Sequence, residues 1–252
     1  MPLSRVLALT LALALAACDS GTTTTTTPKP SVTARPLPTH LWVPSTTASP
    51  KHHTRREAVA SLMPGFSWKA SPVTATELGK SWHPGCPVRP SDLRTLHLSI
   101  WGFDGHAHPG ALVINARVVR PVVAAFRLMY LAKFPIRQMR PVAAYGGIDN
   151  RSMAHDNTSA FNCRYAVANG PKHWSMHAFG EAVDLDPLEN PYYLDGLVYP
   201  PKGARYLRRS HVRSGMVVAG SAPVRAFASV GWGWGGNWSS SPDYQHFSSS
   251  GE

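Results

Sequence analysis

Two short stretches in the second half of the chain hold residue types that could do hydrolytic chemistry: "SMHAFGEAVDLDP", with His177 and Asp184 around a glycine, and "PDYQHF", with Asp243 and His246. Hydrolysis of a peptide or amide bond by metal-activated water needs three protein ligands of nitrogen or oxygen type and one open position. His177, Asp184 and His246 offer two imidazoles and one carboxylate with no thiolate, a donor set suited to Zn2+. Asp243 is then left over as a general base, able to take a proton from water and pass it to the leaving amine. In the alternating run "GEAVDLD", Asp186 lies on the same face as Asp184 and is the competing carboxylate. Isolated histidines such as His97 and His211, and His106 and His108 in a loop, have no such company and read as ordinary surface or core residues.

The elements that must position these groups can be traced from periodicity. Leu96, Leu98 and Ile100 alternate, Asp104-Gly105 and Pro109-Gly110 break the run, and Ala111 to Ile114 resume it, which predicts a β-hairpin with a long loop. Val118, Val122, Val123, Phe126, Met129 and Tyr130 follow helical spacing, so a helix is expected from about Arg120 to Lys133, with Pro121 in its first turn. "FPIRQMRPVAAY" (134–145) reads as a further strand, residues 148–174 as a long aperiodic loop, "GEAVDLD" as a strand and Ala222–Val230 as a short helix. This order predicts an α+β domain with a mostly antiparallel sheet flanked by helices. Asp243 and His246 are three apart, which in a regular strand would send them to opposite faces, so a turn or bulge is required near Pro242. Gly180 is where the chain can turn from the His177 loop into the Asp184 strand.

The pattern S-x-H-x-x-G-x-A-x-D, met here by Ser175, His177, Gly180, Ala182 and Asp184, resembles that of VanY-type zinc D-alanyl-D-alanine carboxypeptidases and L-alanyl-D-glutamate endolysins. The acidic-x-x-H motif, met by Asp243 and His246, resembles theirs as well. The resemblance implies a hedgehog/D,D-peptidase-like fold over residues 62–252, zinc held by His177, Asp184 and His246, and Asp243 as the catalytic base. Family members often carry Glu at the base and Trp before the third ligand, where this chain has Asp243 and Gln245. Arg164, in "DNTSAFNCR", and Arg151 are the candidates for gripping a substrate carboxylate or polarising the scissile carbonyl, because a guanidinium matches a carboxylate in two hydrogen bonds; Ser175 joins them on the substrate side. The implied activity is hydrolysis of peptidoglycan stem peptides. The competing expectation is a non-catalytic wall-binding or structural-zinc module on the same fold, which would have no need of Asp243.

Composition places this chemistry outside the cytoplasm. Arg5 followed by the apolar run from Val6 to Ala17 is too short to span a bilayer and reads as a secretory signal; the small residues before Cys18 resemble a lipobox, so residues 1–18 are read as a lipoprotein leader with Cys18 the lipidated residue. Residues 19–61, rich in Thr, Pro, Ser and Lys, have too little apolar surface to order themselves and read as a tether. The expected place is the outer face of the bacterial cell membrane, contacted through the lipid only. The 25 Lys and Arg against 14 Asp and Glu give a net charge of +11, which in an exported protein suits an anionic envelope, not nucleic acid. With Cys18 lipidated, Cys86 and Cys163 are left as an even pair in an oxidising compartment, and a disulfide between them is expected. The domain is expected to act as a monomer.

Overall fold

A computed structural model describes residues 65–167 and 171–252, so the leader, Cys18 and the tether lie outside the described residues. In chain order the elements are β1 (Trp68–Pro72), α1 (Ala75–Leu78), β2 (Leu93–Trp101), β3 (Ala107–Asn115), α2 (Val119–Leu131), α3 (Asp149–Ala154), β4 (Ala182–Asp184), β5 (Tyr192–Leu194), β6 (Leu197–Tyr199), α4 (Ala222–Ala228), β7 (Gly233–Trp234) and β8 (His246–Ser248), with short 3-10 turns between them. The fold is α+β and its ladders are antiparallel: β1-β2-β3 form one sheet, β4-β8-β7 a second, and β5-β6 a hairpin.

Alternation along β2 sends Leu96, Leu98 and Ile100 inward, while α2 lays Val119, Val122, Val123, Phe126 and Met129 against them. Residues spaced by three and four share one helix face, so this stripe is what docks α2 on the sheet. α4 then packs on α2, and Phe227 meets Phe126 edge-on with ring centroids 5.9 Å apart. On its other side Phe227 stacks on Phe247 of β8 at 4.3 Å. One continuous apolar core therefore runs from the first sheet through the helices to the underside of the second. Phe247 is fully buried, and burying an aromatic ring of that size is worth about 1.5–3 kcal/mol. The disulfide joins Cys86 to Cys163 across 77 residues.

The predicted hairpin is present, but its loop is shorter than expected, since β3 starts at Ala107 and pairs His108, Pro109 and Gly110 with β2; the α2 helix begins one residue earlier and ends two earlier than expected. The strand expected over 134–145 is not present. Pro135 and Pro141 have no N–H to give a ladder, and the segment makes only bridges of Pro135 to Trp101 and Met139 to Thr158 before a 3-10 turn at Val142–Tyr145. Within the expected 148–174 loop, Asp149–Ala154 form α3 and residues 158–162 run extended between β3 and β4, with Phe161 N–H bonded to the Val113 carbonyl and Ser159 paired with Asp184. β4 ends at Asp184. Asp186 sits at φ 41°, a left-handed conformation that ends the alternation.

Candidate functional site

The two short strands β4 and β8 decide which side chains meet. Their register pairs Val183 with Phe247 and Asp184 with His246. Alternation then sends Val183 and Phe247 down into the core and turns Asp184 and His246 to the opposite face together. His177 arrives from the 3-10 turn Met176–Phe179, where Ser175 Oγ accepts a hydrogen bond from the His177 N–H. Gly180 closes that turn at φ 70°, and a Cβ there would lie 2.7 Å from the Asn115 nitrogen, so only glycine lets the chain pass from the turn into β4. Asp243 precedes β8 in a tight turn in which His246 N–H bonds to the Asp243 carbonyl at 3.3 Å, which is the bend that the spacing required.

His177 Nε2 lies 3.1 Å from Asp184 Oδ1, His246 Nδ1 lies 3.1 Å from the same oxygen, and the two ring nitrogens are 3.3 Å apart. All three residues are buried. The hydrogen bonds on their far sides fix the tautomers. His177 Nδ1 is 2.5 Å from the Ala160 carbonyl and His246 Nε2 is 3.0 Å from the Glu252 main-chain oxygen. A carbonyl only accepts, so those nitrogens carry the protons and Nε2 of His177 and Nδ1 of His246 present lone pairs. Three lone-pair atoms thus face one another at 3.1–3.3 Å, an arrangement that a cation between them would satisfy. Metal–ligand lengths of about 2.0–2.1 Å in a tetrahedral zinc site place neighbouring ligands roughly 3.3 Å apart, so the donors fit Zn2+ in type and spacing. Burial pushes the Asp184 carboxyl up, but when a proton makes His177 or His246 cationic in the absence of metal, their charge and hydrogen bonds outweigh it and hold it well below the usual carboxylate range.

Asp243 is buried beside this group, and its Oδ1 has no hydrogen-bond partner among the described residues. Burial, and next the negative charge of Asp184, push its carboxyl up to about 7, against the opposing pull of His246 and Arg164. Arg164 is therefore the guanidinium whose field reaches the site, while Arg151 projects from α3 into solvent. Asp186 lies apart from the cluster, its Oδ1 accepting from the Thr158 hydroxyl and the Arg137 N–H. His106 and His108 hold Asp104 in the hairpin loop, and His97 and His211 are exposed. Trp232 and Trp234 pack in the core, and Trp238 leans on the His246 ring at 5.5 Å.

Several supporting groups carry no sequence signal. The Ala160 carbonyl and the Glu252 main-chain oxygen act through backbone atoms, and Asn162 is buried and bonds the His177 carbonyl through its N–H. Arg209 stands in a basic run that reads as a solvated face, yet it is mostly enclosed and donates to the carbonyls of Glu189, Tyr206 and Val217 and to Asn190 Oδ1. Its spacing in the sequence could not separate it from its exposed neighbours.

Residues 168–249 match the family model described as D-alanyl-D-alanine carboxypeptidase, a span that holds His177, Asp184, Asp243 and His246 and begins after Cys163 and Arg164. No curated protein and no solved structure matches the chain.

Proposed function

We propose, from a chain whose residues 168–249 carry the D-alanyl-D-alanine carboxypeptidase family segment, a zinc-dependent hydrolase of peptidoglycan stem peptides. The observation that carries this reading is the set of three buried lone pairs from His177, Asp184 and His246 converging at 3.1–3.3 Å with tautomers fixed from behind. Bound there, Zn2+ would supply Lewis acidity, polarising a carbonyl and lowering the pKa of water towards neutrality.

The chain's own residues do the rest. Asp243, with its unpartnered Oδ1 and a carboxyl poised near 7, takes the proton from the attacking water and delivers it to the nitrogen of the departing residue. A base works best when its pKa lies near the working pH, because it is then both ionised and basic. The Arg164 guanidinium binds a carboxylate of the peptide and orients the bond to be cut. Ser175 holds the His177 turn through its hydroxyl. Lipidation at Cys18 and a tether over residues 19–61 would hold the domain at the outer face of the cell membrane, within reach of the wall, and the positive net charge suits that anionic surroundings.

The test is digestion of a defined muropeptide ending in D-alanyl-D-alanine, with products identified by mass, using metal-free protein and the same preparation given one equivalent of Zn2+. Cleavage that appears only with zinc supports the reading. Equal cleavage without metal, or none in either sample, rejects it.

A further inference from the structure

Arg164 can serve a substrate only if its long, flexible side chain is held in one place, because ordering such a side chain on its own costs up to about 2 kcal/mol in rotamer entropy. The side chain has an ion pair to Asp149 and a hydrogen bond from Nη1 to the Tyr165 carbonyl at 3.4 Å. Asp149, the first residue of α3, brings Oδ2 to 2.9 Å from Arg164 Nε, and both side chains are mostly enclosed, at 20% and 24% exposure. The N–H does not point along that line, since Nε has no hydrogen-bond acceptor among the described residues, so the contact is an ion pair that attracts the guanidinium without engaging the Nε–H. Asp149 is in turn held from behind by the Asn162 amide at 3.4 Å. Asn162 is 3% exposed, and its own N–H bonds to the carbonyl of His177 at 3.2 Å. The main chain completes the frame: Arg164 N–H bonds to the Asn162 carbonyl at 2.9 Å, and Ser175 N–H bonds to the Arg164 carbonyl at 3.1 Å. The segment that carries His177, the arginine and the acid are thus one connected unit, with the disulfide at Cys163 on the adjoining residue.

We propose that Asp149, backed by Asn162, is a positioning residue that aims the Arg164 guanidinium at the terminal carboxylate of the peptide substrate. The inference rests on the peptidase reading above. Asp149 lies outside the family-matched segment, and it has no contact with His177, Asp184 or His246 through which it would alter the metal ligands directly. Removing its charge should loosen Arg164 and weaken the grip on a carboxylate, with the bond-cutting groups left intact.

The experiment uses zinc-loaded full-length protein and two peptides that share the D-alanyl-D-alanine end, one with a free carboxylate and one amidated, and compares wild type with Asp149→Asn, Asp149→Glu and Arg164→Met. Zinc content and melting temperature are measured on each preparation. For the free-carboxylate peptide, Asp149→Asn should raise KM about tenfold, equivalent to one poorly aligned charge-assisted contact, with kcat little changed. For the amidated peptide its kinetics should match wild type, Asp149→Glu should recover most of the loss, and Asp149→Asn should add nothing in the Arg164→Met background. Unchanged KM, or the same loss for both peptides, would overturn the positioning role, as would an unfolded Asp149→Asn paired with an unaffected Asp149→Glu. Wild-type protein that cleaves neither peptide would reject the peptidase reading and this inference with it, whereas cleavage by wild type with an unaffected Asp149→Asn would reject this inference alone.

Discussion

Replacing Asp243 by Asn separates two consequences of one buried carboxyl. In the metal-free fold that carboxyl is pushed from an ordinary 3.8 up to about 7 by burial and by the charge of Asp184. Each unit between the folded and unfolded values is worth about 1.4 kcal/mol, so the ionised form destabilises the metal-free fold by roughly 4 kcal/mol. The sign follows from proton counting. Below pH 4 the group is protonated in both states and costs nothing; between about 4 and 7 the folded state holds the extra proton, so stability falls as pH rises; above 7 the whole penalty applies. Asparagine is nearly isosteric and never ionises. Metal-free Asp243→Asn should therefore be more stable than wild type by several kcal/mol at pH 8, with the gap closing towards pH 4, as read by urea unfolding across that range. With zinc restored, the same variant should keep its metal and lose on the order of a hundredfold or more in turnover, the usual contribution of a positioned base. Equal stability at pH 8 would refute the buried, charge-opposed environment, near wild-type turnover would refute the base, and loss of zinc would make Asp243 a ligand.

Phe247→Ala removes the ring that supports β8 from below, between Phe227 and Val183; chemical denaturation should show a loss of about 3–5 kcal/mol, and zinc titration a weaker affinity because His246 is the neighbouring residue. Reduction of the Cys86–Cys163 bond, which spans 77 residues, should lower stability by up to about 4.5 kcal/mol in the chain-entropy account. Thiol titration should find no free sulfhydryl at either position before reductant is added, and reduction should raise KM more than it lowers zinc content because Arg164 adjoins Cys163.

The parts of the fold legible in the sequence are those where one periodicity acts over many residues. The Leu96–Ile100 alternation and the α2 stripe each repeat several times, so β2, β3 and α2 could be placed within a few residues. The site was legible for a different reason: chemistry needs particular side chains, and "SMHAFGEAVDLDP" and "DYQHF" keep theirs in a fixed spacing. The three-residue gap between Asp243 and His246 even forecast the turn. What stayed hidden depends on contacts between distant segments. β5, β6 and β7 are two or three residues long, too short for any period, and the 134–145 run looked like a strand because its apolar content outweighed two prolines that remove ladder donors. Alternation extended beyond Asp184 suggested that Asp186 shares its face, but the left-handed backbone at Asp186 turns it towards Thr158. Asp149 carries no motif at all and became visible only as the partner of Arg164.

Two groups of donor atoms in the described residues are close enough to hold a metal: His177 with Asp184 and His246, and His83 with the cysteines Cys86 and Cys163, which are joined to each other as a disulfide. X-ray absorption at the zinc edge of the protein loaded with one equivalent of Zn2+ distinguishes them directly. The account predicts a first shell of nitrogen and oxygen at about 2.0–2.2 Å with two imidazole signatures and no sulfur, whereas a scatterer at about 2.3 Å, the zinc–sulfur length, would contradict it.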